Sequence, residues 1–192
     1  MCRYAMTKYK SHYACFNCRK TFKRRLLSDI NGGYNKNEKE SPAKCPECNS
    51  LMANMGLDFE SPKKTDIARW KHLATLYKVG ITFHSCGCSG PGYIPNDSNA
   101  LLTYFEKIKS HYLEHQYFWS QRKNDPKTQS EIAKDQHKNA TFLSSIPQKM
   151  KTGSKKTPEY DALSAQKYWN NKVKQIEEKI ETVKAHITHK KG

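Results

Sequence analysis

Cys15-Phe16-Asn17-Cys18 and Cys45-Pro46-Glu47-Cys48 decide how this chain folds. Each is a C-x2-C pair, a tight turn that aims two sulfurs at one point while its backbone N–H groups face the first thiolate. Two such turns complete a tetrahedral set of four thiolates, the coordination that suits zinc(II) best. The 26 residues between Cys18 and Cys45 exceed the ~15–20 of the compact form. Within them Asn31-Gly32-Gly33-Tyr34-Asn35 is a turn signal, so the insert reads as a β-hairpin with a loose tip over about 31–43. The cysteine count is odd at seven and the start of the chain has no apolar leader, which argues against the disulfides of a secreted protein. We therefore expect Cys15, Cys18, Cys45 and Cys48 to hold one structural zinc ion. The site is closed and leaves no coordination position for a substrate. Metal binding of this type supplies ~10–16 kcal/mol in small zinc peptides.

The flanks of the first pair are basic. Residues 1–25 contain Arg3, Lys8, Lys10, Arg19, Lys20, Lys23, Arg24 and Arg25, and no acid. Four thiolates around Zn(II) leave a net charge of −2, which nearby cations stabilise. The whole chain of 192 residues has 34 Lys and Arg against 18 Asp and Glu, a formal charge of +16. By segment the charge is +5 over 1–60, +4 over 61–96, zero over 97–122 and +7 over 123–192. Such a field attracts phosphate by counterion release. Hydrophobic residues make up 36% of the chain and mean hydropathy is −0.92. No window offers the ~18 apolar residues of a membrane span, so a cytoplasmic protein is expected. A large single-core enzyme is disfavoured by the same composition.

A second constellation is His84-Ser85-Cys86-Gly87-Cys88-Ser89-Gly90-Pro91-Gly92-Tyr93. His84, Cys86 and Cys88 supply three ligands for a second metal if Cys2 adds a fourth. The glycines alternatively form an anion nest, or Cys86 acts as a redox or nucleophilic thiol. The plain alternative is a tight Gly/Pro turn with small buried cysteines. Paired carboxylates, a Walker motif, H-E-x-x-H and a nucleophile elbow are all missing, so no catalytic residue is assigned.

Further along, Ser61-Pro62-Lys63-Lys64-Thr65-Asp66 reads as a helix entry capped by Thr65 or Asp66, and Gly80 as its C-cap. Ile67, Trp70, Ala74 and Tyr77 recur at helical spacing. Ile81-Thr82-Phe83-His84 alternates as a short strand. A neutral helix over about 98–121 presents Leu101, Leu102, Phe105, Ile108, Tyr112 and Trp119 on one broad face. Residues 122–158 are rich in Lys, Ser, Thr and Pro and sparse in large apolar residues, which reads as a linker with a helical turn or two near 128–138. In 159–189, Trp169, Val173, Ile176, Ile180, Val183 and Ile187 form a heptad seam. It either folds back on the chain, pairs with a second copy or docks on a partner. The expected fold class is α+β. A basic arm (1–12) precedes a small zinc ribbon (13–60) packed with two helices in an extension that carries the Cys-x-Cys turn (61–121). A flexible basic linker (122–158) and a long C-terminal helix (159–192) follow.

The two C-x2-C pairs set in basic sequence resemble the zinc ribbons of ribosomal proteins and transcription factors. That resemblance covers residues 13–60 and implies the four cysteine ligands. Cys45-Pro46-Glu47-Cys48, Met55-Gly56-Leu57-Asp58-Phe59, Pro62-Lys63-Lys64 and His84-Ser85-Cys86-Gly87-Cys88 are also similar to a group of uncharacterised bacterial zinc-ribbon proteins.

Cations alternate with aromatic residues in Arg3-Tyr4, Lys8-Tyr9-Lys10, His12-Tyr13 and Phe22-Lys23-Arg24-Arg25. This fits a structural RNA-binding protein, ribosomal or ribosome-associated, with rRNA and neighbouring ribosomal proteins as partners. Arg3, Lys8, Lys10, Arg19, Lys20, Lys23, Arg24, Arg25, Lys63 and Lys64 would hold phosphates, and Tyr4, Tyr9, Tyr13 or Phe16 would stack on an unpaired base. The alternative is a DNA- or transcription-associated ribbon dimerised by its C-terminal helix. A thiol- or metal-dependent enzyme built on the Cys86–Cys88 turn is a third class.

Overall fold

The computed structural model describes residues 10–23, 43–85, 90–154 and 156–188. The hairpin expected over 31–43 falls outside these, save for Ala43. So do Cys2, Arg3, Tyr4, Lys8, Tyr9, Arg24, Arg25, Cys86 and Cys88. The fold is α+β, and the chain divides into two compact units, residues 1–101 with 185–192, and residues 102–184.

In the first unit, strands β1 (His12–Cys15), β2 (Lys20–Lys23) and β3 (Ala53–Gly56) form an antiparallel sheet in the order β2-β1-β3. Cys15 pairs with Lys20 at the closed end of the β1–β2 hairpin, and Ala14 pairs with Ala53 across the other edge. Lys44 and Leu51 make a smaller antiparallel bridge. Helix α1 (Ile67–Lys78) begins where the Asp66 carboxylate accepts the Arg69 N–H at 3.1 Å. It ends in a Schellman arrangement: Gly80, at φ +81, and Ile81 donate to the carbonyls of Tyr77 and Leu76. Both helix ends therefore lie where the sequence puts them. The face does not. Trp70, Leu73 and Leu76 are buried together with His72 and Thr75, whereas Ile67 is 49% and Tyr77 41% exposed. The polar pair can be buried because His72 Nε2 meets the Pro95 carbonyl at 2.8 Å and Thr75 Oγ1 donates to Lys71 O at 3.0 Å. Residues 81–84 do not form the expected strand. Phe83 instead makes two backbone bonds, to Met55 O and from Asp58 N–H.

In the second unit, helix α2 (Ser98–Gln121, entering from the first unit) runs beside α5 (Ala162–Thr188). Lys109 pairs with Glu177 at 2.8 Å and Gln116 Nε2 donates to Asn170 at 2.7 Å, so the two helices are antiparallel. The stretch between them, read as a linker, carries secondary structure. Helices α3 (Gln129–Lys138) and α4 (Ala140–Ser144) lead through a 3-10 turn (Gln148–Met150) into a hairpin of β4 (Lys151–Gly153) and β5 (Pro158–Tyr160). Its few apolar residues suffice because α2 and α5 supply the aromatic mass: Leu143, Ile146 and Met150 pack with Trp119, Ala165 and Trp169. Every seam residue of α5 from Trp169 to Val183 is buried within the chain. Among the described residues no helix is long and apolar enough to cross a membrane.

Candidate metal centre

The first C-x2-C pair sits at the tip of the β1–β2 hairpin and the second at the tip of the Lys44–Leu51 hairpin. The four sulfurs of Cys15, Cys18, Cys45 and Cys48 lie within 4.8 Å of one another. Cys15 Sγ is 3.5 Å from Cys48 Sγ, and Cys45 Sγ is 3.9 Å from Cys18 Sγ. These are not disulfide distances. A tetrahedron with metal–sulfur bonds of ~2.3 Å has sulfurs ~3.8 Å apart, and the two measured edges bracket that value. The residues present therefore fit a metal ion such as zinc.

Each turn is closed by backbone N–H groups. The Cys18 N–H faces Cys15 Sγ at 3.5 Å. In the second turn the Asn49 N–H closes on Cys45 O and the Cys45 N–H on Ser50 O, both at 2.9 Å. The residue after each second cysteine is left-handed: Arg19 at φ +52 and Asn49 at φ +57. Two links tie the turns together. Asn17 Nδ2 donates to Ser50 Oγ at 3.0 Å, and Lys20 forms an ion pair with Glu47.

The thiols titrate apart. Burial pushes the Cys15 thiol up. The adjacent Cys48 sulfur, followed by burial, holds Cys18 far above the ordinary range. Cys48 is lowered to about 6, chiefly by the hydroxyl and N–H of Ser50. Four sulfurs this close cannot all ionise unless a cation stands between them, because each anion raises the cost of the next. Lys20 raises no such conflict: its hydrogen bond with Glu47 lifts its own pKa and lowers that of the carboxylate.

Among the described residues no other group of three or more His, Cys, Asp or Glu is arranged to hold a metal. His84 is exposed, and its expected partners Cys86 and Cys88 lie outside the described residues. Of the basic residues expected to bind nucleic acid, Lys10, Lys23, Lys63 and Lys64 are exposed. Arg19 is half-buried as the left-handed residue of its turn, and Lys20 is engaged by Glu47. Phe16 packs against Trp70 and Tyr77, with ring centroids 6.4 and 6.0 Å away. The links from Asn17 and Lys20 have no sequence signal. Asn49 has one, since Asn tolerates the left-handed region, whereas Arg19 has none. The chain matches no family model, no curated protein and no solved structure.

Proposed function

We propose that this protein is a structural zinc-ribbon protein that binds RNA, with ribosomal RNA and its particles as the target. The observation that carries the reading is the four-sulfur cluster, set in a unit whose exposed cations include Lys10, Lys23, Lys63 and Lys64. A metal held by four thiolates has no open position and does no chemistry of its own. Its work is to make a small, charged surface rigid, so that lysines meet phosphates without first being ordered. The formal charge of +16 supports a polyanionic partner. Burial of the α5 seam within the chain removes the apolar motive for dimerising through that helix.

The test is sedimentation with ribosomal particles together with RNA binding as a function of salt. At low salt the protein should travel with the particles and leave them at high salt. Replacing Lys10, Lys23, Lys63 and Lys64 together by Gln should lower the slope of log K against log salt by ~0.7–0.9 for each phosphate that is no longer neutralised. Duplex DNA bound as tightly as RNA would favour the transcription-associated reading. A particle fraction free of the protein even in dilute buffer would overturn the proposal.

A further inference from the structure

Helix α1 has a face that, among the described residues, is left exposed. Ile67, Lys71, Ala74 and Lys78 follow steps of four, three and four and so share one side of the helix. The opposite side buries Leu73 and Leu76. Lys71 and Lys78 are exposed, and they stand about 10 Å apart along the axis. Tyr77 lies at the edge of this face against Phe16 of the first cysteine turn, with the ring centroids 6.0 Å apart. Phe16 in turn meets the edge of Trp70, whose indole N–H donates to Lys63 O at 3.1 Å. The Lys63 backbone is thereby held against Trp70 of α1.

The charge here is of one sign. Between 61 and 96 the only acid is Asp66, and its carboxylate caps α1. Glu47, the carboxylate of the second cysteine turn, is committed to Lys20. Among the described residues no ion pair engages Lys63, Lys71 or Lys78. One large aliphatic side chain, Ile67, is too little for an apolar protein partner. Two rings at a cationic surface, by contrast, are what an unpaired base and its flanking phosphates require. A duplex keeps its base faces stacked inside and cannot use such rings.

We propose that this face of α1 binds single-stranded RNA, with a base stacked on the Tyr77–Phe16 pair and phosphates held by Lys63, Lys71 and Lys78. The inference rests on the RNA reading above and adds the strandedness and the surface. It also moves the stacking role from the N-terminal tyrosines to Tyr77.

The experiment measures binding of the full, metal-loaded protein to a fluorescein-labelled oligouridine and to an RNA duplex of equal length. The oligouridine should bind more tightly than the duplex. Tyr77→Ala should raise its Kd about 5- to 150-fold, from the loss of one stacked base, and Tyr77→Phe should restore binding to within ~2-fold because the ring is kept. Replacing Lys71 and Lys78 by Gln should lower the salt slope by about 1.4, the value for two phosphates of a single strand. Metal content and circular dichroism, measured on each variant, confirm that it is folded. If the wild type binds RNA but Tyr77→Ala leaves oligouridine binding unchanged, or the duplex binds as well, this inference fails and the general reading stands. If the wild type binds neither RNA, both fail.

Discussion

Gly56 shows how closely a single residue can be specified by its neighbours. Its φ is +96°, and a Cβ built on it would stand 2.5 Å from the backbone of Phe83 and His84. Both facts arise because Phe83 donates to Met55 O at 2.7 Å and so draws residues 81–85 against the end of β3. Met55 and Phe59 on either side are buried beside the metal centre's sheet. Gly56→Ala must then strain φ and push the 83–84 backbone away together. The expected cost is at least ~2 kcal/mol, read as a lower urea midpoint with an unchanged m-value; an unaltered midpoint would mean that the 81–85 segment yields freely. Arg19 and Asn49 occupy left-handed positions of the same kind, one after each cysteine pair. There Asn49 is exposed and Arg19 half-buried, whereas a Cβ at Gly56 would meet backbone.

At the scale of elements, the end of α2 is tied to α3 and β5 through Arg122. Its side chain is 8% exposed and donates to both oxygens of Asp135, at 3.2 and 2.9 Å, while Nε donates to Asp125 at 2.9 Å. The guanidinium also lies 5.0 Å from the centre of the Tyr160 ring. Burial pushes Asp135 up, but hydrogen bonds from Arg122 and Asn139 outweigh it and leave the carboxyl below its ordinary range. Its contribution is therefore complete above the unfolded carboxyl pKa and is lost as pH falls through the lowered folded value. Arg122→Met should destabilise the second unit by ~3–5 kcal/mol, because it strands a carboxylate that is only 16% exposed. Adding Asp135→Leu should recover most of that loss in a double-mutant cycle; no recovery would place the effect in packing on Tyr160 instead. None of this network can be read from the sequence, because Arg122, Asp125 and Asp135 fall in a polar stretch with no periodicity. The α5 seam is legible from Trp169 to Val183, since Trp169, Val173, Ile176, Ile180 and Val183 sit on a strict heptad and all are buried, while the last seam position, Ile187, is half-buried. The α1 stripe is legible only as a helix. Hydrophobicity alone favours Ile67 and Tyr77, whereas the fold buries His72 and Thr75 once His72 Nε2 and Thr75 Oγ1 have met backbone carbonyls. The cysteine cluster is the most legible feature, because ligand spacing is a local property. The exposed face of α1 is the least, because it depends on which side the sheet leaves open.

For the whole molecule, the two units are held by different physics, and metal removal should separate them. The first unit has a core around Ala14, Ala53, Met55, Phe59, Trp70, Leu73 and Leu76, and all four clustered cysteines. The second contains no cysteine between 102 and 184 and is built on Trp119, Trp169 and the residues around them. A thiolate-bound zinc ion contributes on the order of 10–16 kcal/mol to a small fold, comparable to the whole ~5–15 kcal/mol net stability of a typical domain. A chelator at neutral pH should therefore unfold the first unit outright. The expected result by hydrogen exchange is loss of protection over 12–15, 20–23 and 53–56, with protection kept along 105–119 and 166–183. Cys18→Ser in zinc-replete buffer should give the same pattern, since replacing one of four thiolates by a neutral hydroxyl weakens the hold on the metal. Protection retained in β1 to β3 after chelation would show that the sulfurs contribute little, and the metal-centred account would fall. Loss in both halves at one chelator concentration would show instead that the core of α2 and α5 draws its stability from the sulfur cluster.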